Sequence, residues 1–451
     1  MRTLAAVGLE HPGAPPAIGA RLRPLVRAAV IWLFPWFVFV PFVELPHTPL
    51  SLDDLLPVVV VGLGLVWRLF GGRPRFEVVT YGLMIVALLN LGATLGSGGT
   101  DAELLRSTAR GFGRFLFHAA MLTTVAGVLD GRDDVRRLLR VVIVAAVVQS
   151  AFCLFAYATD YTGPFGIGMA PTPMWSTLKR VHGTFAAGGS WEGGTPVAAN
   201  FLSAYLMCAG VLCGAMALQA RRLWGRALYL AALGACVAGI GVSYSRASFV
   251  GLGVGLVVVA LLTRRGWLVL VFALVAAGSV VLVPRLKDRL TSLESNRTAL
   301  YAAGVRVVSD HPLFGVGDGN YGRLLRGSAR YQYTPYGVAL ATPHNSTLLA
   351  AAHAGLPAGL VLLGLVLLAL GRMWLVSLWS VDREARLLAA GISGAATAFF
   401  LQDQVNSLLF VPKTAAWFWL LVALSVVLAR GVSPPGLRPP AGSETPPPPS
   451  H

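Results

Sequence analysis

The sequence predicts an all-α membrane protein that crosses the bilayer many times and carries one large loop with short helices. Hydrophobic residues make up 55% of the chain and charged residues only 12%, whereas a soluble domain carries about 25% charged residues. Apolar runs of roughly 20 residues, the length that a helix needs to cross a bilayer, recur along the whole chain. Together these observations predict a polytopic membrane protein of about twelve transmembrane helices.

The predicted elements follow one another in a regular order along the chain. Residues 1–24 are polar and contain several arginines and prolines, so they are predicted to be a disordered cytoplasmic N-terminus. The transmembrane domain is predicted over 25–430, and a Pro-rich tail over 431–451 is predicted to be unstructured and cytoplasmic. Spans are predicted near residues 27–43, 52–70, 76–95, 111–129, 138–159, 197–218, 226–243, 247–263, 266–284, 345–370, 386–402 and 414–430.

Positive charge is distributed between these spans as the positive-inside rule requires. The chain has a net charge of +16, and the links assigned to the inside hold arginine clusters such as 132–140. The first outside link, 44–51, holds no Lys or Arg. This alternation predicts that both termini are cytoplasmic and that two long loops, 160–196 and 285–342, lie outside. Because no basic patch with interleaved aromatic residues occurs, nucleic acid is not an expected partner.

Neither cysteines nor carboxylates form a convincing metal site in the sequence. All four cysteines fall inside apolar runs, which predicts neither a disulfide framework nor metal ligation. An acidic pair, Asp53-Asp54, begins the second span at the outside and leaves two interpretations open. It would either contribute to a divalent metal site or cap a helix, and the scarcity of other outer carboxylates favours the cap.

The first candidate catalytic residue lies where the second long loop runs back into an apolar helix. Thr342 is the predicted N-cap of this helix, and Pro343 suits its first position. His344 would then lie in the first turn, where the helix dipole favours a neutral imidazole. A neutral imidazole is the form that a general base needs near pH 7. The alternative is a polar residue that marks the membrane interface.

Arg246 is the second candidate, because it lies in a very short outer turn between two apolar spans. A cation at this place runs against the orientation rule, and charge at membrane depth is costly and usually functional. The guanidinium would reach the depth at which the diphosphate of a lipid-linked sugar lies, with Ser245 as a nearby donor. The alternative is an arginine that contacts lipid phosphate.

Arg297 is the third candidate and begins a predicted short amphipathic helix. Tyr301, Val305 and Val308 are predicted to share its face, so a helix lying on the membrane surface would aim Arg297 inward. An ordinary solvated arginine is the alternative. The glycine-rich segment that follows, 310–321, is predicted to be a structural turn, because no strand precedes it and no helix clearly follows.

Several motifs occur in a fixed order that resembles a known family. They are Ser245-Arg246-Ala247, Asn296-Arg297 with Tyr301, His311-Pro312-Leu313-Phe314-Gly315-Val316-Gly317 with Asn320-Tyr321, and His344-Asn345-Ser346. The ordered set resembles the O-antigen ligase / O-antigen polymerase superfamily of bacterial membrane glycosyltransferases. An upstream element, Gly183-Thr184-Phe185 with Asn200, is similar to a family motif but has a longer, Gly-rich spacer.

The resemblance implies transfer of a glycan from an undecaprenyl-diphosphate carrier, without metal or cofactor, at the periplasmic face of the bacterial inner membrane. Arg246 and Arg297 would hold the diphosphate, and His344 would deprotonate the acceptor hydroxyl, so that direct attack inverts the anomeric carbon. This agrees with the chemistry of the residues, since two cations stabilise a leaving diphosphate and a base activates a weak nucleophile. The secondary candidates are Asn345, Ser245, Tyr301, Arg180 and His182.

The acceptor distinguishes the alternatives within the family. A ligase uses lipid A–core, a polymerase uses the growing glycan, and a related branch glycosylates protein. The two long outer loops, with His344 closing the larger one, favour the ligase. A transporter or flippase of lipid-linked glycan is the alternative from another class, but the sequence shows no internal repeat.

Overall fold

A computed structural model describes residues 18–40, 42–43, 55–71, 77–96, 102–163, 167–170, 180–185, 187–188, 196–266, 297–331, 342–430 and 432. Within these residues the chain forms α-helices and two short two-stranded ribbons, without a closed sheet. Four sequence predictions lie outside the described residues: the structure of residues 1–17, the acidic pair Asp53-Asp54, the ninth span at 266–284 beyond its first residue, and the Pro-rich tail beyond 432.

The elements are numbered along the chain. The helices are α1 (Ile18–Ala28), α2 (Leu55–Leu69), α3 (Val78–Gly96), α4 (Ala102–Val128), α5 (Arg132–Thr159), α6 (Pro196–Gln219), α7 (Leu223–Ser243), α8 (Arg246–Leu262), α9 (Arg297–Asp310), α10 (Asn320–Gly327), α11 (Ser346–Trp379), α12 (Arg383–Asp403) and α13 (Pro412–Ala429). The strands are β1 (Phe42–Val43), β2 (Gly168–Ala170), β3 (Arg180–Gly183) and β4 (Ala187–Gly188). Strand β1 pairs in parallel with β4, and β2 pairs antiparallel with β3.

Eight helices of the described part are long and apolar enough to cross a membrane. They are Ile18–Phe39, in which a π-helical turn and a 3-10 helix continue α1, and α3, α5, Ala198–Gln219 of α6, α7, α11, α12 and α13. Two shorter apolar helices are Val58–Leu69 and α8. The predicted class, an all-α integral membrane protein, is confirmed, whereas the count of twelve spans stays a prediction.

Helix α6 lies at the centre of the bundle, where α7, α8 and α12 pack around it. Small residues let these backbones approach closely: a Cβ on Gly255 of α8 would lie 2.9 Å from the carbonyl oxygen of Gly394 on α12. Spanning helices rely on such close packing, because lipid is as apolar as their side chains and provides no hydrophobic drive. Helix α13 packs against α4 and buries Trp417 and Trp419.

Ion pairs join the helices at the end of the bundle where α4 ends and α5 and α12 begin, which we call the far end. Arg27 of α1 binds Asp130 at 2.8 Å, and Arg136 of α5 binds Glu384 of α12. The Arg27 contact holds α1 against the bundle, and the Arg136 contact joins α5 to α12. Helix α1 begins at Ile18, inside the segment 1–24 that the sequence predicts to be disordered.

Helix α11 is bent near its start, where Ala354 and Gly355 leave the helical conformation. The turn 311–317, which joins α9 to α10, packs against this bend. Its hydrogen bonds are Val316 N to Ala352 O (2.9 Å), Gly317 N to His353 O (2.9 Å) and Leu356 N to Pro312 O (2.7 Å). Backbone groups at membrane depth must be satisfied inside the protein, and this turn satisfies those that the bend exposes.

The same contacts show what the glycine-rich segment does. In addition to the bonds to α11, Gly315 N donates to His311 O at 3.0 Å and Asp318 N donates to Thr94 Oγ1 at 3.2 Å. These N–H groups already have protein partners, as expected of a structural turn. The expectation that no helix follows it is wrong, since α10 begins at Asn320.

We expect Gly355→Ala to destabilise the protein by roughly 1–3 kcal/mol or more, because only glycine readily adopts its backbone conformation. Gly355 has φ +84°, and a Cβ there would lie 2.1 Å from the carbonyl oxygen of Leu313. Gly364→Ala in the same helix is the matched control, since a Cβ there meets nothing within 4 Å. Thermal unfolding in detergent measures the difference, and equal melting temperatures for the two variants would contradict this account.

Candidate active site at the starts of three helices

The three main candidates from the sequence all lie at helix starts, at the end of the bundle opposite the ion pairs, which we call the site end. Arg246 is the first residue of α8, Arg297 is the first residue of α9, and His344 lies two residues before α11 begins at Ser346. The charge of Arg246 acts on Arg297, and the charge of Arg297 acts on His344. The fold therefore brings together three residues that are up to 98 positions apart in the chain (344 − 246 = 98).

Arg246 is positioned by a tight turn between α7 and α8. Tyr244 ends α7 in the left-handed conformation with φ 54°, and Ser245 caps α8 in an extended one. Arg180 of β3 braces this turn, since its Nε donates to Ser243 O at 2.8 Å and its Nη2 to Asn200 Oδ1 at 2.9 Å. Arg180 on β3 and Asn200 of the upstream element thus support the start of α8.

Arg297 is partly buried, and its surroundings disfavour its charge. Burial lowers the pKa of Arg297, the Tyr301 phenol opposes this shift, and the nearby cation Arg246 lowers the pKa further. Guanidinium groups close enough for one to lower the pKa of the other repel each other, and an anion between them would relieve the repulsion. The arrangement therefore favours an anionic ligand.

The predicted face of α9 is partly wrong. Val305, which was expected to share a face with Arg297, is exposed, whereas Val308 is buried as expected. The buried face comprises Leu300, Ala303, Gly304, Val307 and Val308. The Leu348 side chain of α11 lies against Gly304. Helix α9 therefore packs on the segment that follows His344.

The predicted cap of α11 is also wrong, because Asn345 and not Thr342 is the N-cap. The Asn345 side chain accepts a hydrogen bond from Leu348 N at 2.8 Å, and His344 precedes the helix with φ 52°. Burial lowers the pKa of His344 to about 4, and the charge of Arg297 lowers it as well. The imidazole is therefore neutral near pH 7 as predicted, but for reasons other than a place in the first helical turn.

The C-terminal end of α12 binds the starts of α9 and α11. The carbonyl oxygen of Gln404 accepts hydrogen bonds from Tyr301 Oη at 2.7 Å and from Asn345 Nδ2 at 3.3 Å. Asp403 is buried, and its Oδ1 accepts from Ser346 Oγ at 2.5 Å and from Leu409 N at 3.1 Å. Arg297 is thereby held through Tyr301, one helical turn after it in α9. His344 is held through the next two residues, Asn345 and Ser346.

The same end of α12 binds α6 and α8. Gln402 accepts a hydrogen bond from Ser248 Oγ at 2.9 Å, and its Nε2 donates to Asn200 O at 3.0 Å. Asn406 Oδ1 accepts from Asn200 Nδ2 at 3.1 Å. Ser245 joins this network, because its hydroxyl lies 3.0 Å from Ser248 Oγ. All three helix starts are therefore connected to residues 402–406.

The secondary candidates divide into two groups. Arg180, Ser245, Tyr301 and Asn345 belong to the site end through the hydrogen bonds described above. His182 is fully buried on β3, next to Thr184, whose hydroxyl donates to Val38 O at 2.6 Å. The structure thus places His182 in the packed interior behind the turn that Arg180 braces.

One polar cluster, around His353 of α11, is not among the candidates predicted from the sequence. His353 Nδ1 lies 3.5 Å from Asp318 Oδ1, and the Phe410 ring lies 5.6 Å from the imidazole and 5.9 Å from the Arg114 guanidinium. The signal in the sequence was the interruption of the fourth apolar span by Arg114 and His118. In the described part of the chain, no group of three or more His, Cys, Asp or Glu residues could hold a metal ion.

Comparison with known families supports the resemblance found in the sequence. A family model described as O-antigen ligase matches residues 230–363. The match contains Arg246, Arg297 and His344 together with the turn 311–317, and it confirms the recognition of the O-antigen ligase / polymerase superfamily in this part of the chain. A comparison with curated protein sequences finds no match.

The lowered pKa of His344 predicts how stability depends on pH. Between pH 6.5 and about 4 the folded imidazole stays neutral while the unfolded one binds a proton, so stability falls as the pH falls through this window. Across this pH window we expect the free energy of unfolding of the wild type to fall by on the order of 2 kcal/mol relative to that of His344→Asn. Asn is chosen because it tolerates the left-handed backbone of position 344.

Melting temperatures of the two proteins in detergent, measured from pH 7 to pH 4.5, test this expectation. His311→Asn is the control, because His311 lies exposed in the turn after α9. A constant difference between wild type and His344→Asn at all pH values would show that the imidazole is not held neutral.

Proposed function

We propose that this protein transfers a glycan from an undecaprenyl-diphosphate carrier to an acceptor hydroxyl, and that it acts as an O-antigen ligase on lipid A–core. The observation that carries the proposal is the convergence of two cations and a neutral imidazole at the starts of α8, α9 and α11. The family match over residues 230–363 supports the same reaction class.

In the proposed reaction Arg246 and Arg297 bind the diphosphate of the donor. Arginine suits this role because its planar guanidinium binds phosphate oxygens in a bidentate manner and keeps its charge at any physiological pH. The bond between the anomeric carbon and the diphosphate oxygen breaks, and its electron pair remains on the diphosphate. The two cations stabilise the charge that develops there, so the leaving group departs without a proton.

His344 is the proposed general base. The acceptor oxygen forms its bond to the anomeric carbon on the face opposite the diphosphate, which inverts the configuration, while its proton passes to the imidazole. A base with a pKa of about 4 is weak. Burial is the main cause of the low pKa, and the charge of Arg297 adds to it. A diphosphate bound at Arg297 would offset this second cause, so binding of the donor would raise the pKa of His344 and make the base stronger.

We further propose that the site end faces the periplasm of a bacterial inner membrane and that both termini are cytoplasmic. The support is the distribution of charge, because the arginine-rich links lie at the far end. In this arrangement the transferase domain is 25–430 with periplasmic loops near 160–196 and 285–342. The membrane lipids surround it, and no cofactor takes part.

We expect His344→Asn to lower the rate of glycan transfer by about 10²–10⁴-fold, because the general base is lost. Arg246→Lys and Arg297→Lys should each lower it by roughly 10²-fold, because a lysine keeps the charge but cannot bind phosphate in a bidentate manner. Arg306→Lys on α9 is the matched control and should retain wild-type activity, since Arg306 donates to the Arg330 carbonyl away from the site.

The measurement is transfer from purified lipid-linked glycan in proteoliposomes, together with binding of the labelled carrier. If the protein is an enzyme, the His344→Asn variant should lose glycan transfer and still bind the carrier. If it is a transporter, the same variant should keep both carrier binding and translocation. Unchanged transfer by the His344 variant would therefore exclude the proposed mechanism.

The surface glycan of a deletion strain tests the choice of acceptor. We expect long glycan chains to disappear from lipid A–core while carrier-linked polymer accumulates, because a ligase acts on finished chains. Gel separation of lipopolysaccharide and analysis of the carrier-linked pool provide the measurement. Single-repeat products on lipid A–core would instead indicate a polymerase, which extends the glycan on its carrier.

A further inference from the structure

The turn 311–317 carries two large apolar side chains that the described part of the chain leaves exposed. Leu313 is 66% exposed and Phe314 is 71% exposed. They lie next to each other at the tip of the turn, between α9 and α10. Contiguous exposed apolar surface on a protein is a mark of protein or membrane contact sites.

The tip is held rigidly against a helix that spans the membrane. The three hydrogen bonds to the bend of α11 fix the backbone on both sides of the tip, at Pro312 and at Val316-Gly317. Contact is so close that a Cβ on Gly315 would lie 2.6 Å from the Ala352 carbonyl oxygen. Leu313 and Phe314 are therefore presented at a fixed height relative to α11.

The length of the helices gives that height. The part of α11 beyond the bend, 356–379, is about 36 Å long at 1.5 Å per residue, slightly more than a hydrocarbon core of about 30 Å. Its first residue, Leu356, binds the turn and therefore lies near the boundary of the core. Thr94, close to the site-side end of α3, binds Asp318 at the same level.

The exposed tip is also continuous with the apolar surface of these helices. On α11, Leu356 and Leu360 are exposed directly below the turn, and Leu95 is exposed at the end of α3. Apolar side chains exposed on a spanning helix face lipid. Leu313 and Phe314 extend this lipid-facing surface from α11 onto the turn 311–317.

We propose that Leu313 and Phe314 insert into the acyl-chain region of the leaflet on the site side and anchor the turn 311–317 in the membrane. The partner is the bilayer itself. The anchor fixes the depth of two segments that are joined to the turn: the end of α9 and the part of α11 that follows His344. It does not depend on the reaction that the site performs.

The test places a fluorophore at the tip. Phe314→Cys is labelled with NBD in nanodiscs of phosphatidylethanolamine and phosphatidylglycerol, with or without lipid that carries a nitroxide at acyl position 5. The native cysteines Cys153, Cys208, Cys213 and Cys236 are all buried and should not react. Ser309→Cys, at an exposed polar position one residue before α9 ends, is the matched control.

We expect the nitroxide to quench NBD at position 314 at least three times more strongly than at position 309, with a blue-shifted emission. Equal quenching at the two sites would overturn the proposal. A blue shift that needs high protein concentration would indicate a second copy of the chain as the partner, and one that needs added polyprenyl diphosphate would indicate the donor chain. Either result would also overturn it.

A second measurement guards against an effect of the dye itself. A small nitroxide label is attached to the cysteine of Leu313→Cys. The collision rates of this nitroxide with oxygen and with a water-soluble nickel complex are then compared by EPR. Oxygen should dominate if the tip lies among acyl chains, and the nickel complex should dominate if the tip lies in water. The second outcome would overturn the proposal, provided that the labelled protein remains monodisperse.

Discussion

The hydrogen bond between the buried carboxylate of Asp403 and Ser346 is the interaction on which the site depends. It ties the end of α12 to the start of α11, and Leu409 N shares the same carboxylate oxygen. Burial raises the pKa of Asp403 to about 7. A buried carboxyl group is costly unless its oxygens are satisfied, and removing one of its hydrogen-bond partners is costlier still. The contacts of Gln402, Gln404 and Asn406 extend this connection to α6, α8 and α9, so one helix end positions all three candidate residues.

Hydropathy and charge predicted the class of the protein because every span has to be apolar, whatever its neighbours. Local rules failed where neighbours decide. Thr342 and Asn345 are both good capping residues, and the contact of Asn345 with Gln404 favours the second. The face of α9 was misjudged because its apolar residues allow two faces, and only the packing of Leu348 against Gly304 selects one. The pair Asp318 and His353 depends on the fit of a turn into a bend, which no local pattern shows.

The site combines features that would be unstable in isolation. A neutral histidine lies beside cations that repel one another, and burial strengthens both effects. Such groups persist because rigid surroundings hold them, and perturbed titratable groups of this kind cluster where chemistry occurs. The first segment of α11 follows His344 and ends at the bend. The turn 311–317 adds to the rigidity because it binds this bend. Support from α12 and from this turn leaves the base little freedom to move.

The central claim is that His344 and the arginine pair act as one electrostatic unit. The most direct test is NMR titration of the His344 imidazole in histidine-labelled protein, with the signal assigned by its loss in His344→Asn, in the absence and presence of inorganic pyrophosphate. The account predicts a pKa of about 4 without the anion and a pKa that rises toward its ordinary value when pyrophosphate offsets the charge of Arg297. A pKa that pyrophosphate leaves unchanged would contradict it.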